Sequence, residues 1–151
     1  MQAHVRYLAL ISEQPEILAS YYTTHFGLRE LGHSETGDVS LTDGFFNLTV
    51  LKRRPGLGEA DDRVGLHHIG IAIDNIREIE GRLEDVAPAT DIVAENGDLH
   101  HGQYRLVDPS GLAVSLSTNG FGTADDRQGH PAIHHAAIKV ADTEEVLGFY
   151  T

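Results

Sequence analysis

The chain repeats itself, and the repeat limits what it can fold into. The stretch His67–Asp74, HHIGIAID, is echoed near the C-terminus by HHAAIKVAD and near the N-terminus by RYLALISE. Two connectors, PGLGEADDRVG and NGFGTADDRQG, agree almost letter for letter. Gly56, Gly58, Ala60, Asp61, Asp62, Arg63 and Gly65 recur as Gly120, Gly122, Ala124, Asp125, Asp126, Arg127 and Gly129, a constant 64 residues later. Agreement this dense marks a duplication. Both connectors also have the polar, Gly-rich composition of plain solvated linkers, and their paired aspartates read as solvated charges.

Within HHIGIAID, successive side chains of a strand point to opposite faces. Ile69, Ile71 and Ile73 face packing. His68, Gly70 and Ala72 face the other way, a lone His above two tiny residues, which describes the floor of a cavity. His135 and Ala137 take these places in the C-terminal echo, and Tyr7 takes the place of His68 in the N-terminal one.

Taken in order, the first unit covers residues 1–54. Val5 to Ile11 reads as a strand, and Ser12 can cap a helix with Pro15 in its first turn. Ile17, Leu18, Tyr21 and Tyr22 fall on one helical face, and Gly27 ends the helix. Strands follow at Leu28–Leu31, Val39–Thr42 and Phe45–Lys52, with turn signals at Thr36-Gly37-Asp38 and Asp43-Gly44. After the connector at 55–65, the second unit, 66–118, repeats this order. Asn75 and Glu78 have capping-box spacing, and Ile76, Ile79, Leu83 and Val86 form an apolar stripe. Strands at Asp91–Ala94, Gln103–Val107 and Leu112–Ser117 enclose a turn at Asp108-Pro109-Ser110-Gly111.

A linker at 119–132 leads to a third start at 133–151. His134–Ala141 is strand-like, and Asp142 with Glu145 repeats the capping-box spacing. Tyr21, Tyr22 and Thr23 align with Phe149, Tyr150 and Thr151 at an offset of 128. Val146, Leu147, Phe149 and Tyr150 would then lack the sheet they should cover, so the expectation is an N-terminal piece of a longer protein. The predicted fold is α+β: two tandem βαβββ modules with curled mixed sheets around a cavity, plus the start of a third module.

Composition narrows the function classes. The 151 residues carry a formal net charge of -12, which argues against nucleic acid or an anionic membrane surface as partner. There is no Cys, so disulfides, thiol nucleophiles and thiolate metal sites are excluded. No apolar run approaches the roughly 18 residues of a membrane span, and no basic region with an apolar core opens the chain. The default expectation is a cytoplasmic protein.

These pieces carry a family resemblance. RYLALISE with YYTTHFG, HHIGIAID with VDPSG, and HHAAIKVAD with GFYT resemble the vicinal oxygen chelate superfamily, which includes glyoxalase I, bleomycin-resistance proteins and type I extradiol dioxygenases. The resemblance spans nearly the whole chain. It implies sheets curled around a cavity, often with a divalent metal at its base, held by residues of the first and last strands.

Tested against that implication, the residues divide. Two His and one carboxylate on one face would suit Fe(II) or Mn(II) and leave positions open for substrate and O₂. The first-strand position is Tyr7 in module one, a poor ligand, and His68 in module two, a good one. The last strands, FFNLTVL and LAVSLS, contain no carboxylate and no His, with Ser115 where the family pattern would place Glu. Type I extradiol dioxygenases are similar: two modules without metal precede two catalytic ones. By that resemblance His135, on the opening strand of module three, is the first-ligand candidate of a full-length protein, and His68 a weak one.

The expectation is therefore a non-catalytic N-terminal domain, itself holding no tight metal, of a four-module glyoxalase/extradiol-dioxygenase-like protein. The alternative is a small-molecule sequestering protein of the bleomycin-resistance type, working as a dimer. The partners expected are a small aromatic or vicinal-oxygen substrate and further copies of the chain, as a homodimer or higher homo-oligomer. Cavity-lining candidates are Tyr7, His68, Tyr104, Arg105 and Ser115. Alternation sends only one of Tyr104 and Arg105 inward, and Arg105 would suit an anionic ligand. Each has a plainer reading as well: Tyr7 as a core tyrosine, His68 as a structural histidine. The His-His pairs at 67/68, 100/101 and 134/135 are not natural chelates, because adjacent strand residues face opposite sides.

Overall fold

A computed structural model describes residues 3–56, 62–95, 102–122 and 132–151 of the chain. The repeated Asp125-Asp126 pair and the His100-His101 pair lie outside the described residues, as does Asp61. Strand β1 (Ala3–Ser12) leads into helix α1 (Pro15–Phe26), then β2 (Arg29–His33), β3 (Val39–Thr42) and β4 (Asn47–Lys52). The second half repeats the order with β5 (Gly65–Ile73), α2 (Ile76–Val86), β6 (Val93–Ala94), β7 (Tyr104–Val107) and β8 (Ala113–Ser117). A short 3₁₀ turn at Gly120–Gly122 and helix α3 (Thr143–Tyr150) follow.

The eight strands form one curled, open sheet in the order β2-β3-β4-β1-β5-β8-β7-β6. Each opening strand lies parallel to the last strand of its own module, β1 on β4 and β5 on β8. The modules join where β1 and β5 run antiparallel, with Tyr7 opposite Gly70 and Ala9 opposite His68. The architecture is the α+β pair of βαβββ modules read from the sequence.

Alternation sorts the two faces of the sheet. Val39, Leu41 and Leu48 pack under α1 with Ala19 and Leu28. Ile69, Ile73, Leu106, Val114 and Leu116 pack with Leu83 of α2. The residues between them in sequence, including Ser40, Thr49 and Ser115, turn to the opposite, concave face.

Local chemistry explains most boundaries. Gly27 closes α1 in the left-handed conformation (φ 70°), its N–H donating to the Thr23 carbonyl. Asn75 Oδ1 caps α2 by accepting from the Arg77 N–H at 3.0 Å. Asp142 Oδ1 accepts from the N–H groups of Glu144 and Glu145, both at 3.0 Å, and so caps α3.

Three expectations need correction. Ser12 does not cap α1: its hydroxyl accepts the Gln14 N–H ahead of the helix, and Gln14 holds the cap position. The packed face of α1 is Pro15, Leu18, Ala19 and Tyr22, leaving Ile17 (66%) and Tyr21 (49%) exposed, because Ala19 sets the close contact with the sheet. Residues 134–140 do not form a strand. In modules one and two the opening strand lies between its own module's last strand and the other opening strand, and among the described residues no strand pairs with this segment.

The third start is instead tied down by the turns of the first two modules. Asp43 Oδ1 accepts from Phe45 and Phe46 N–H groups, and its Oδ2 accepts from the Ile133 N–H at 2.8 Å. Asp108 Oδ1 holds its own turn through Ser110 and Leu112, and Oδ2 accepts from the Tyr150 hydroxyl at 2.9 Å. Burial, and then the Asp108 carboxylate, push the Tyr150 hydroxyl well above the ordinary tyrosine range.

Asp38 anchors the β2–β3 turn. It is 5% exposed and accepts from the Ser34 and Thr36 hydroxyls, the Lys52 N–H and the Arg54 guanidinium. Burial pushes its carboxyl up, but these donors together outweigh burial and hold it below the usual value. A carboxyl lowered by folding stabilises above the unfolded pKa near 3.9, and that contribution is lost as pH falls through the folded value. Asp38→Asn should cost about 2 kcal/mol at pH 7. Chemical denaturation of both proteins at pH 7 and pH 3 should show the gap narrowing at the lower pH.

Candidate functional site

The concave face is built from alternate residues of the central strands. Tyr7 and Ala9 of β1 lie level with Asn47 and Thr49 of β4. His68 and Gly70 of β5 lie level with Ala113 and Ser115 of β8. Ser40 of β3 stands beside Thr49, with their hydroxyls 2.8 Å apart. Tyr7, Thr49, His68 and Ser115 are all buried, none more than 2% exposed.

The centre of this face is an aromatic stack. The Tyr7 ring stacks with both His68 and Phe121, with both ring centroids 5.2 Å away and interplanar angles of 24° and 14°. Offset stacking at this separation is favourable beyond simple burial. Room for it comes from Gly70, where an added Cβ would fall 2.5 Å from Tyr7 Cβ and 2.7 Å from Phe121 Cζ. The 3₁₀ turn carries Phe121 inward. Its carbonyl accepts from Asn47 Nδ2 at 3.2 Å, and its N–H donates to Asn119 Oδ1 at 3.2 Å. His68 Nδ1 lies 2.7 Å from His67 Nδ1, so one of the two must carry the proton.

The other sequence candidates lie elsewhere. Tyr104 packs among the apolar residues under α2. Arg105 lies level with Ser115 on the concave side, but on β7 near the sheet margin, 43% exposed and 3.9 Å from Glu95. His135 is exposed in the irregular segment and lines, with His134, Val5, Phe46, Ile69 and Ile133, a separate cavity of about 380 Å³. The structure thus brings Tyr7, His68 and Ser115 together on the concave face, but not Tyr104 or His135. Asp62, read from sequence as a solvated connector charge, instead pairs with Arg53 Nη2 at 2.7 Å.

Phe121 and Asn47 escaped the sequence reading. A signal was present: both repeated connectors place an apolar residue between two glycines, G-L-G at Gly56–Gly58 and G-F-G at Gly120–Gly122.

The concave residues do not fit a divalent metal. They offer one imidazole, hydroxyls, an amide and a stacked phenol, with no carboxylate on β4 or β8. Among the described residues no group of three or more His, Cys, Asp or Glu side chains converges. A hard divalent ion needs more oxygen or imidazole donors than this face presents.

No family model matches the sequence, and no curated protein matches it. Solved structures do match. Catechol 2,3-dioxygenase aligns with a TM-score of 0.70 at 17% identity, over 97% of this chain and 53% of its own. Methylmalonyl-CoA epimerase gives a TM-score of 0.53 at 17% identity, over 74% of this chain and 92% of its own. A glyoxalase/bleomycin resistance/dioxygenase superfamily member from Vibrio splendidus 12B01 gives 0.51 at 14% identity, over 76% and 97%. The chain therefore has the vicinal oxygen chelate fold. It spans about half the length of the dioxygenase.

Gly70→Ala tests the stack. Tyr7 Cβ, fixed to the strand backbone, lies 2.5 Å from the new methyl and cannot give way, so overpacking should cost about 3 kcal/mol. Thermal unfolding followed by circular dichroism should show a Tm lower by roughly 5–10 °C. Gly81→Ala, where nothing lies within 4 Å of the new Cβ, is the control and should not lower it.

Proposed function

We propose that these two modules are the non-catalytic, N-terminal half of a four-module, metal-dependent protein of the glyoxalase/extradiol-dioxygenase type. The observation that carries this reading is the concave face itself, which keeps the fold of such a site while lacking its carboxylate and filling its centre with Phe121. The alignment supports it, covering 97% of this chain but 53% of catechol 2,3-dioxygenase.

In this reading His135 is the first of three ligands, with a second His and a Glu contributed by a fourth module. A bound Fe(II) or Mn(II) would polarise the vicinal oxygens of a small aromatic or related substrate as a Lewis acid. Within the chain, Asp43 positions the segment carrying His135 through the Ile133 N–H. Assembly as a homodimer or higher homo-oligomer in the cytoplasm belongs to the same proposal. Among the described residues no helix is long and apolar enough to cross a membrane.

A second reading, a two-module sequestering protein acting as a dimer, draws on the matches that cover 92% and 97% of their own chains. Metal analysis of the full-length native protein separates the two. The first reading expects about one metal per chain held through dialysis, and catechol cleavage or glutathione-hemithioacetal turnover. His135→Ala should lose the metal and at least ~100-fold of activity, more than removing a ligand's own hydrogen-bond partner costs. His68→Ala should keep both. Metal loss in His68→Ala with retention in His135→Ala would overturn the assignment.

A further inference from the structure

Phe121 occupies the concave face in the way a ligand would. Its ring is 3% exposed and lies nearly parallel to Tyr7, over backbone left bare at Gly70. Its backbone is left-handed, at φ 59° and ψ 29°, a conformation that a phenylalanine adopts only at a cost. Glycines stand on both sides of it in the sequence.

The second observation is Asn47. It is 1% exposed and directly beside Tyr7 in the sheet, with its Nδ2 given to the Phe121 carbonyl. Its Oδ1 is buried with no hydrogen-bond partner among the described residues. Buried amide oxygens are nearly always satisfied, and each exception calls for an explanation. Here the missing donor is one that a hydrocarbon ring cannot supply.

We propose that the face formed by Tyr7, Gly70 and Asn47 is a binding site for a planar aromatic bearing a hydroxyl, and that Phe121 is its internal, displaceable occupant. A phenol ring takes the stack on Tyr7 that Phe121 now makes, and its hydroxyl donates to Asn47 Oδ1. The inference rests on this face alone and stands or falls separately from the metal reading.

The probes are 4-fluorophenol and fluorobenzene, followed by fluorine NMR titration of the chain. Removing the Phe121 ring leaves an apolar hole of the kind that accepts benzene-sized molecules. Phe121→Ala should bind 4-fluorophenol at least ~10-fold tighter than the unmodified chain, because no occupant has to leave. It should prefer 4-fluorophenol over fluorobenzene by about 10-fold, the equivalent of one net hydrogen bond. Adding Asn47→Leu should erase that preference. Where Phe121→Ala does not fold alone, the same comparison is made on Phe121→Leu as a Tm increase at saturating 4-fluorophenol. A folded Phe121 variant that gains no affinity or Tm over the unmodified chain overturns the site. A preference for the phenol that survives Asn47→Leu overturns the role given to Asn47.

Discussion

The seam between β1 and β5 holds the two modules together, and it closes because position 70 has no side chain. Tyr7 stands opposite Gly70, and Ala9 opposite His68, so each large ring faces a small residue across the seam. A methyl group at Gly70 would collide with both Tyr7 and Phe121. This complementarity lets the Tyr7 ring lie flat and gives Phe121 a surface to cover. The register also makes the duplication explicit. Exchanging the modules carries Tyr7 onto His68, Ala9 onto Gly70, and their neighbours Asn47 and Thr49 onto Ala113 and Ser115.

The two copies then diverged in chemistry while keeping their geometry. Each retains a ring at the first-strand position and a small residue two places on. On the last strands, Thr49 and Ser115 hold equivalent places with hydroxyls where metal chemistry would require a carboxylate. The buried hydroxyl of Thr49 is met by that of Ser40, so the face carries paired hydroxyls beside its aromatic stack, and Asn47 Oδ1 is left without a partner among the described residues. The polarity of the face follows from strand alternation, since the intervening valines and leucines are claimed by the helices.

Much of this was legible in the sequence because period-two alternation and capping residues act locally. HHIGIAID placed His68, Gly70 and Ala72 on one face, and Asn75, Asp142 and Gly27 marked helix ends that the structure keeps. The absence of a carboxylate from FFNLTVL and LAVSLS could be read in any register. The packed face of α1 could not, because Tyr21 and Tyr22 are equally apolar neighbours and only the position of Ala19 against the sheet decides between them. Phe121 was hidden for another reason. It enters the site from a connector, 114 positions after Tyr7 by residue number, and no local period links the two. A strand at His134–Ala141 was expected from pattern alone, and pattern carries no information about whether a neighbour exists to pair with.

Asp43 and Asp108 occupy corresponding turns of the two modules, and each spends one carboxylate oxygen on its own turn and the other on the 132–151 segment. That segment is therefore fastened once to each half of the sheet, as a strap across the seam. Local opening of either module therefore loosens one of the two hydrogen bonds that fasten this segment, a coupling added to that of the shared sheet. The two aspartates thus add a second link between halves that the β1–β5 seam already joins.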